Sequence, residues 1–213
     1  MKGKADIKQY TMYVHGQKGV GMIEVLVTLF VLSVGLLGVA SLQFVGSFSN
    51  KDALSRSHAV MVAQQMTERL RANIVPSSSS DGFVVSNEYF NPDNYNFTNL
   101  SCSGSDLFSC HCNSTPVSVP DCHTNVCTVD QSAQFDAYQM SCAAIEANPN
   151  TTIEVSCTDN NALDSEACSA GSVHQIMVSW PSVGWLDDNR IANSNCNANG
   201  GNDQDCVLLK VAL

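Results

Sequence analysis

The sequence predicts an α+β fold, in which a long N-terminal α-helix, half membrane span and half amphipathic, packs on an antiparallel β-sheet inside a disulfide-rich head. Three observations predict it: an uncharged apolar run over residues 25–42, a Gly- and Pro-free amphipathic stretch over residues 50–73, and ten cysteines that all fall between Cys102 and Cys206. At 213 residues, 44% of them hydrophobic, the chain has the length and apolar content for one core of ordinary size.

The run VLVTLFVLSVGLLGVASL (residues 25–42) carries no charge, and one bilayer crossing needs about twenty predominantly apolar residues. Lys2, Lys4, Lys8 and Lys18 against Asp6 make residues 1–19 net +3, which leaves −13 for residues 20–213 of a total of −10. Only Lys51 and Arg56 follow the run closely, so the positive-inside bias keeps the N-terminus in the cytoplasm and exports the rest. The cysteines point the same way, because an even, dense set without a repeated C-x-x-C pair reads as a disulfide framework of an oxidising compartment. A cleaved secretory signal is the rival, with Gly38-Val39-Ala40 as its small-x-small site and Ser41 as the new N-terminus. Against it stand Glu24, whose carboxylate at mid-membrane would cost about 2.5–3.5 kcal/mol, and helical sequence that continues well past Ala40.

The segment Gln17-Lys18-Gly19-Val20-Gly21-Met22-Ile23-Glu24-Val25-Leu26 resembles the class III signal of type IV prepilins and pseudopilins: a basic leader ending in Gly, then an apolar residue, with Glu fifth in the mature chain. The resemblance implies a pilin-like fold. It also implies a leader over residues 1–19, cleavage by prepilin peptidase between Gly19 and Val20, and N-methylation of Val20, which stands where Phe is commoner. Gly21 offers a second cut site, but it would make Glu24 third. On physical grounds a carboxylate in apolar surroundings needs a cation, and the α-amino group that cleavage creates at Val20 is the one available nearby. Pairing between neighbouring subunits would make Glu24 the residue of subunit registration; a carboxylate snorkelling from the first helical turn is the plainer alternative. Gly35 and Gly38 suit close helix packing, or local melting in a filament, because they remove side-chain bulk.

Residues 20–48 are thus read as the membrane or filament-core half of the helix, and residues 49–76 as its amphipathic half. Ala59, Val62, Met66 and Leu70 recur at three- and four-residue spacing, with His58 and the methionines as ordinary face residues. Asn73 and Pro76 supply a stop, and residues 77–82 a polar turn. A helix over residues 20–73 would be about 80 Å long at 1.5 Å per residue.

Residues 77–213 form the head. Phe83-Val84-Val85 is a strand candidate, and residues 87–126 read as polar and irregular. Thr128-Val129-Asp130-Gln131 has the pattern of a capping box and opens a helix from about Asp130 to Ala147, ended by Asn148-Pro149. Residues 151–157 and 173–180 alternate, with Ile176, Val178 and Trp180 on one face, and Val207, Leu209, Val211 and Leu213 alternate at the end. The disulfide candidates are Cys102, Cys110, Cys112, Cys122, Cys127, Cys142, Cys157, Cys168, Cys196 and Cys206. Their spacing does not fix the pairing; the one local expectation is Cys196 with Cys206, which would close a loop worth about 2–3 kcal/mol. Within that loop Asn197, Asn199, Asp203 and Asp205 offer oxygen ligands for calcium, without the spacing or terminal Glu of an EF-hand. Cys110-His111-Cys112 and Cys122-His123 have irregular spacing for zinc, so no metal or other cofactor is expected.

The order of these parts resembles the type IV pilus modification protein family, the PilV type of minor pilin, most strongly over residues 17–73. The resemblance implies a fimbrial, non-catalytic subunit that helps prime or cap pilus assembly and supports cell adhesion and twitching motility. Its implied partners are prepilin peptidase, other major and minor pilins, the inner-membrane assembly platform, the membrane itself before assembly, and a tip adhesin. Its implied location is the inner membrane, as a single-pass protein with a periplasmic head, and then the extracellular pilus. Nucleic acid is excluded as a partner, since from residue 77 onward Arg190 and Lys210 stand against sixteen acids. A minor pseudopilin of type II secretion shares leader and helix. A membrane-anchored periplasmic enzyme is the alternative of another class, and no nucleophile elbow, HExxH or Gly-rich phosphate motif speaks for it.

Overall fold

A computed structural model describes residues 19–104, 106–164, 166–182, 195–196 and 204–213. The fold is α+β: a long N-terminal helix is followed by antiparallel sheets, with disulfides in the head. The chain divides after Phe48 into two units, residues 1–48 and 49–213.

Helix α1 spans Met22–Ala72. Through residue 47 every described side chain of the first unit is exposed. In the second unit the helix presents the expected stripe, with Ala59, Val62, Met66 and Leu70 all buried, and Ala63 is buried beside them. Thr67 joins that stripe because its hydroxyl donates to the Ala63 carbonyl at 2.9 Å, which satisfies it within the helix.

The chain then turns through a short hairpin. Pro76, expected to lie in a stop and turn, instead pairs as part of β1 (Val75–Pro76) with β2 (Phe83–Val84); proline is tolerated there because a two-strand edge does not need its missing N–H. The loop is closed by Ser77 N–H donating to Gly82 O at 2.9 Å. Gly82 has φ +153°, and a Cβ on it would lie 2.6 Å from the Cβ of Ala170. Gly82→Ala is therefore expected to destabilise the head by about 1–3 kcal/mol, read as a lower urea midpoint; an unchanged midpoint would show that the 158–172 loop yields freely.

Residues 87–126, expected to be irregular, carry two 3₁₀ turns (Asn87–Phe90 and Pro92–Asn94) and a short helix α2 (Leu107–His111). Each is started by a side-chain cap, from Ser86, Asn91 and Asp106 in turn, so local capping organises a stretch with little apolar periodicity.

Helix α3 spans Val129–Ala147 and has the full capping box: Gln131 N–H donates to Thr128 Oγ1 at 3.2 Å, and Thr128 N–H donates to Gln131 Oε1 at 3.0 Å. Three antiparallel strands follow, β3 (Thr152–Thr158), β4 (Val173–Pro181) and β5 (Gln204–Ala212), in spatial order β3-β4-β5. Val155 faces Ile176, which faces Leu209. The alternation of β4 buries His174, Ile176, Val178 and Trp180 on its inner face.

The main core joins the α1 stripe, Ala133, Ala137, Met140 and Ala144 of α3, and the inner face of the sheet, with Val85, Tyr89 and Tyr95 from the connecting segment. Small residues on α3 let the layers approach closely. A second cluster, Phe97, Phe135, Tyr138 and Ile145, lies on the other flank of α3 against Phe108, Cys112 and Cys142. Between the clusters Asn96, at φ 54°, accepts from Ile153 N–H and donates to Ile153 O, both at 2.9 Å. Its amide thus substitutes for a neighbouring strand at the β3 edge, and asparagine tolerates the left-handed backbone this requires.

Candidate functional site

The N-terminal site begins with Gly19 and Val20, exposed and ahead of the helix. The first turn of α1 is set by Gly21, whose carbonyl accepts from Glu24 N–H at 2.9 Å and from Val25 N–H at 3.3 Å. Glu24 consequently sits in the first turn with its carboxylate exposed, where the positive end of the helix dipole favours it.

Beyond it the surface is almost wholly apolar. Leu29, Phe30, Leu32, Leu36, Leu37 and Leu42 are each more than half exposed. The hydroxyls of Thr28 and Ser33 donate to the carbonyls of Val25 and Phe30, at 2.8 and 2.7 Å, so they present no unmet polar group. The helix passes unbroken through Gly35 and Gly38, and a Cβ added at either would meet nothing within 4 Å. Such a segment is long and apolar enough to cross a membrane. An exposed apolar surface of this extent calls for lipid or neighbouring helices.

In the head, all ten cysteines are in disulfides: Cys102–Cys110, Cys112–Cys142, Cys122–Cys127, Cys157–Cys168 and Cys196–Cys206. Cys112–Cys142 fastens the segment after α2 to α3 beside the second cluster. Of the two histidines flanked by cysteine, His111 is buried and stacks on Phe97 at 4.8 Å between ring centroids. His123 packs edge-on to Phe135 and shares a 2.7 Å hydrogen bond with Gln139. Among the calcium candidates, Asn197, Asn199 and Asp203 lie outside the described residues, while Asp205 stands on β5 opposite Trp180.

Sequence reasoning missed a polar knot at the end of α1. Asp136, on α3, is paired with Arg69 and accepts from Tyr89 OH at 2.6 Å and from Asn73 Nδ2 at 2.9 Å; Asn73 Nδ2 also donates to Tyr89 OH at 2.9 Å. No local pattern marks it, because its members are drawn from three separate segments. Burial, reinforced by the Asp136 carboxylate, pushes the Tyr89 phenol well above the usual tyrosine range, and burial does the same for Tyr95. A folded state that holds these protons more tightly than the unfolded chain, whose phenols ionise near pH 10, loses stability as pH rises above about 10. The urea midpoint is expected to fall between pH 9 and 11 and to fall less in Tyr89→Phe; a flat profile in the wild type would contradict it.

His174 was also missed, although the alternation that marks Ile176, Val178 and Trp180 places it on the same inner face when extended two residues toward the start of β4.

Residues 14–40 match the family described as the prokaryotic N-terminal methylation motif. No curated protein and no solved structure matches the chain. The matched segment contains Gly19, Val20, Glu24, Gly35 and Gly38 and supports a type IV pilin- or pseudopilin-like protein, processed by prepilin peptidase and assembled with other pilins.

Proposed function

We propose that this chain is a minor pilin of the type IV pilus, of the PilV type, which is cut between Gly19 and Val20, N-methylated at Val20 and built into the filament to help initiate or cap assembly. The observation that carries the reading is Glu24, the fifth residue counting from Val20, at the head of a helix whose residues 25–50 carry no charge and inside the matched methylation motif. Residues 20–48 lie in the inner membrane before assembly and among sister helices afterwards. The head of residues 77–213 is exported, first to the periplasm and then to the pilus surface. In this reading the assembly platform and the other major and minor pilins are its partners, and adhesion and twitching motility are the functions it supports.

N-terminal sequencing of the membrane-extracted protein tests it. A mature chain beginning at Val20 is expected, whereas one beginning at Ser41 would mean export and release. Deletion of the chain separates the pilin from the pseudopilin reading: loss of surface fibres belongs to the first, and loss of protein secretion with fibres intact to the second.

A further inference from the structure

Cys157 of β3 and His174 of β4 are direct cross-strand partners, and Cys168 comes to the same place from the 158–172 loop. Ligand atoms of the three residues all lie within 4.8 Å of one another. His174 is 2% exposed and Cys168 1%. Neither ring nitrogen of His174 makes a hydrogen bond, although the backbone of Ser172 and Val211 lies beside the ring. A buried imidazole carries a donor and an acceptor that ordinarily both find partners. Phe90 lies tilted beside the ring, 5.6 Å between centroids, and offers neither. With two sulfurs within 4.8 Å of a ring nitrogen and no hydrogen bond made by either nitrogen, the ring has the surroundings of a ligand rather than of a core residue satisfied by its backbone.

We propose that Cys157, Cys168 and His174 form a binding site for a thiophilic metal ion of the Zn²⁺ class, which exists when the Cys157–Cys168 disulfide is reduced and replaces that disulfide as the cross-link. Two soft thiolates with one imidazole are a donor set suited to such an ion, with a fourth position left open.

The exchange is a two-electron reduction. A dithiol reductant attacks the Sγ of Cys157, the less buried residue of the pair, and the S–S bond breaks to release Cys168 as thiolate. The reductant's second thiol then resolves the mixed disulfide, leaving two cysteine thiols and an oxidised, cyclic dithiol. Zn²⁺ displaces the two thiol protons and takes the imidazole as third ligand.

What the cross-link secures is visible in the loop. Glu166 accepts from Ser77 Oγ and Ser78 N–H at 2.9 Å, and Asp164 accepts from Ser79 Oγ at 3.2 Å. The same loop meets Gly82 through Ala170. A metal held by Cys157, Cys168 and His174 would keep this loop on the sheet, and the hairpin on the loop, after the disulfide is lost.

The test uses the full chain in detergent, treated with a phosphine reductant, which does not compete as a thiol, with and without Zn²⁺. Free thiols are alkylated and mapped by peptide mass. Zn²⁺ is expected to lower alkylation of Cys157 and Cys168 about tenfold relative to the other eight cysteines, and His174→Gln to abolish that difference. Equal alkylation with and without Zn²⁺, protection spread evenly over all ten cysteines, or protection retained in His174→Gln would each overturn the site. Zinc-edge absorption on the wild-type chain gives an answer even where the variant does not fold: two sulfurs and one nitrogen are expected, and a shell of four sulfurs or of oxygen alone overturns it. Neither outcome bears on the filament reading, which rests on the other end of the chain.

Discussion

Glu24→Ala is expected to leave cleavage and membrane insertion intact while removing the chain from filaments. A carboxylate that leaves the interface for a bundle of apolar helices needs a cation, and in the proposed reading that cation is the amine of Val20 on a neighbouring subunit, freed by cleavage. Breaking a buried pair of this kind costs about 3–5 kcal/mol, and each 1.4 kcal/mol is about tenfold in partition between membrane and fibre. Recovery of the variant in sheared fibres, measured against its level in membranes, should therefore fall by well over tenfold. Glu24→Gln should fail similarly, since a neutral amide keeps the shape and loses the charge. Equal recovery of wild type and Glu24→Ala would remove the registration role altogether.

The second large effect belongs to the head. Asp136→Ala deletes the acceptor shared by Arg69, Asn73 and Tyr89 and leaves a partly buried guanidinium and a buried phenol without their partner. Loss of about 3 kcal/mol or more is expected, because stranding buried polar groups costs more than the bonds themselves contribute. Urea unfolding of the full chain in detergent, followed by near-ultraviolet absorption of the head, measures it. Asp136→Asn keeps the shape and one acceptor, so it should fall between wild type and alanine. A midpoint for Asp136→Ala within about 0.5 kcal/mol of wild type, the usual size of a surface change, would mean that the knot is incidental to stability.

Legibility differed along the chain for identifiable reasons. The stripe of Ala59, Val62, Met66 and Leu70 and the alternation of Ile176, Val178 and Trp180 were readable because burial on one face writes a period into the sequence. The capping box at Thr128 and Gln131 was readable because both of its bonds are local. Pro76 misled because a proline reads as a stop whether or not a short edge strand follows. The 3₁₀ turns and α2 escaped notice because their signals are single capping residues without an apolar period behind them.

Four of the five disulfides could not be assigned from spacing. Cys112–Cys142, with a sequence separation of 30, depends on α3 docking beside the second cluster before the sulfurs can meet. The Asp136 knot and the Cys157–Cys168–His174 group arise in the same way.

By itself the sequence determined the class, the apolar run with one acid at its head, the split of charge between leader and head, and the disulfide-rich head. All of these are written in composition, charge order and short periods. Tertiary structure alone decided which cysteines meet, which acid anchors the end of α1 and which histidine is left among sulfurs without a hydrogen-bond partner. Each of these depends on residues far apart in the chain, and only the packing of helix on sheet brings them within reach of one another.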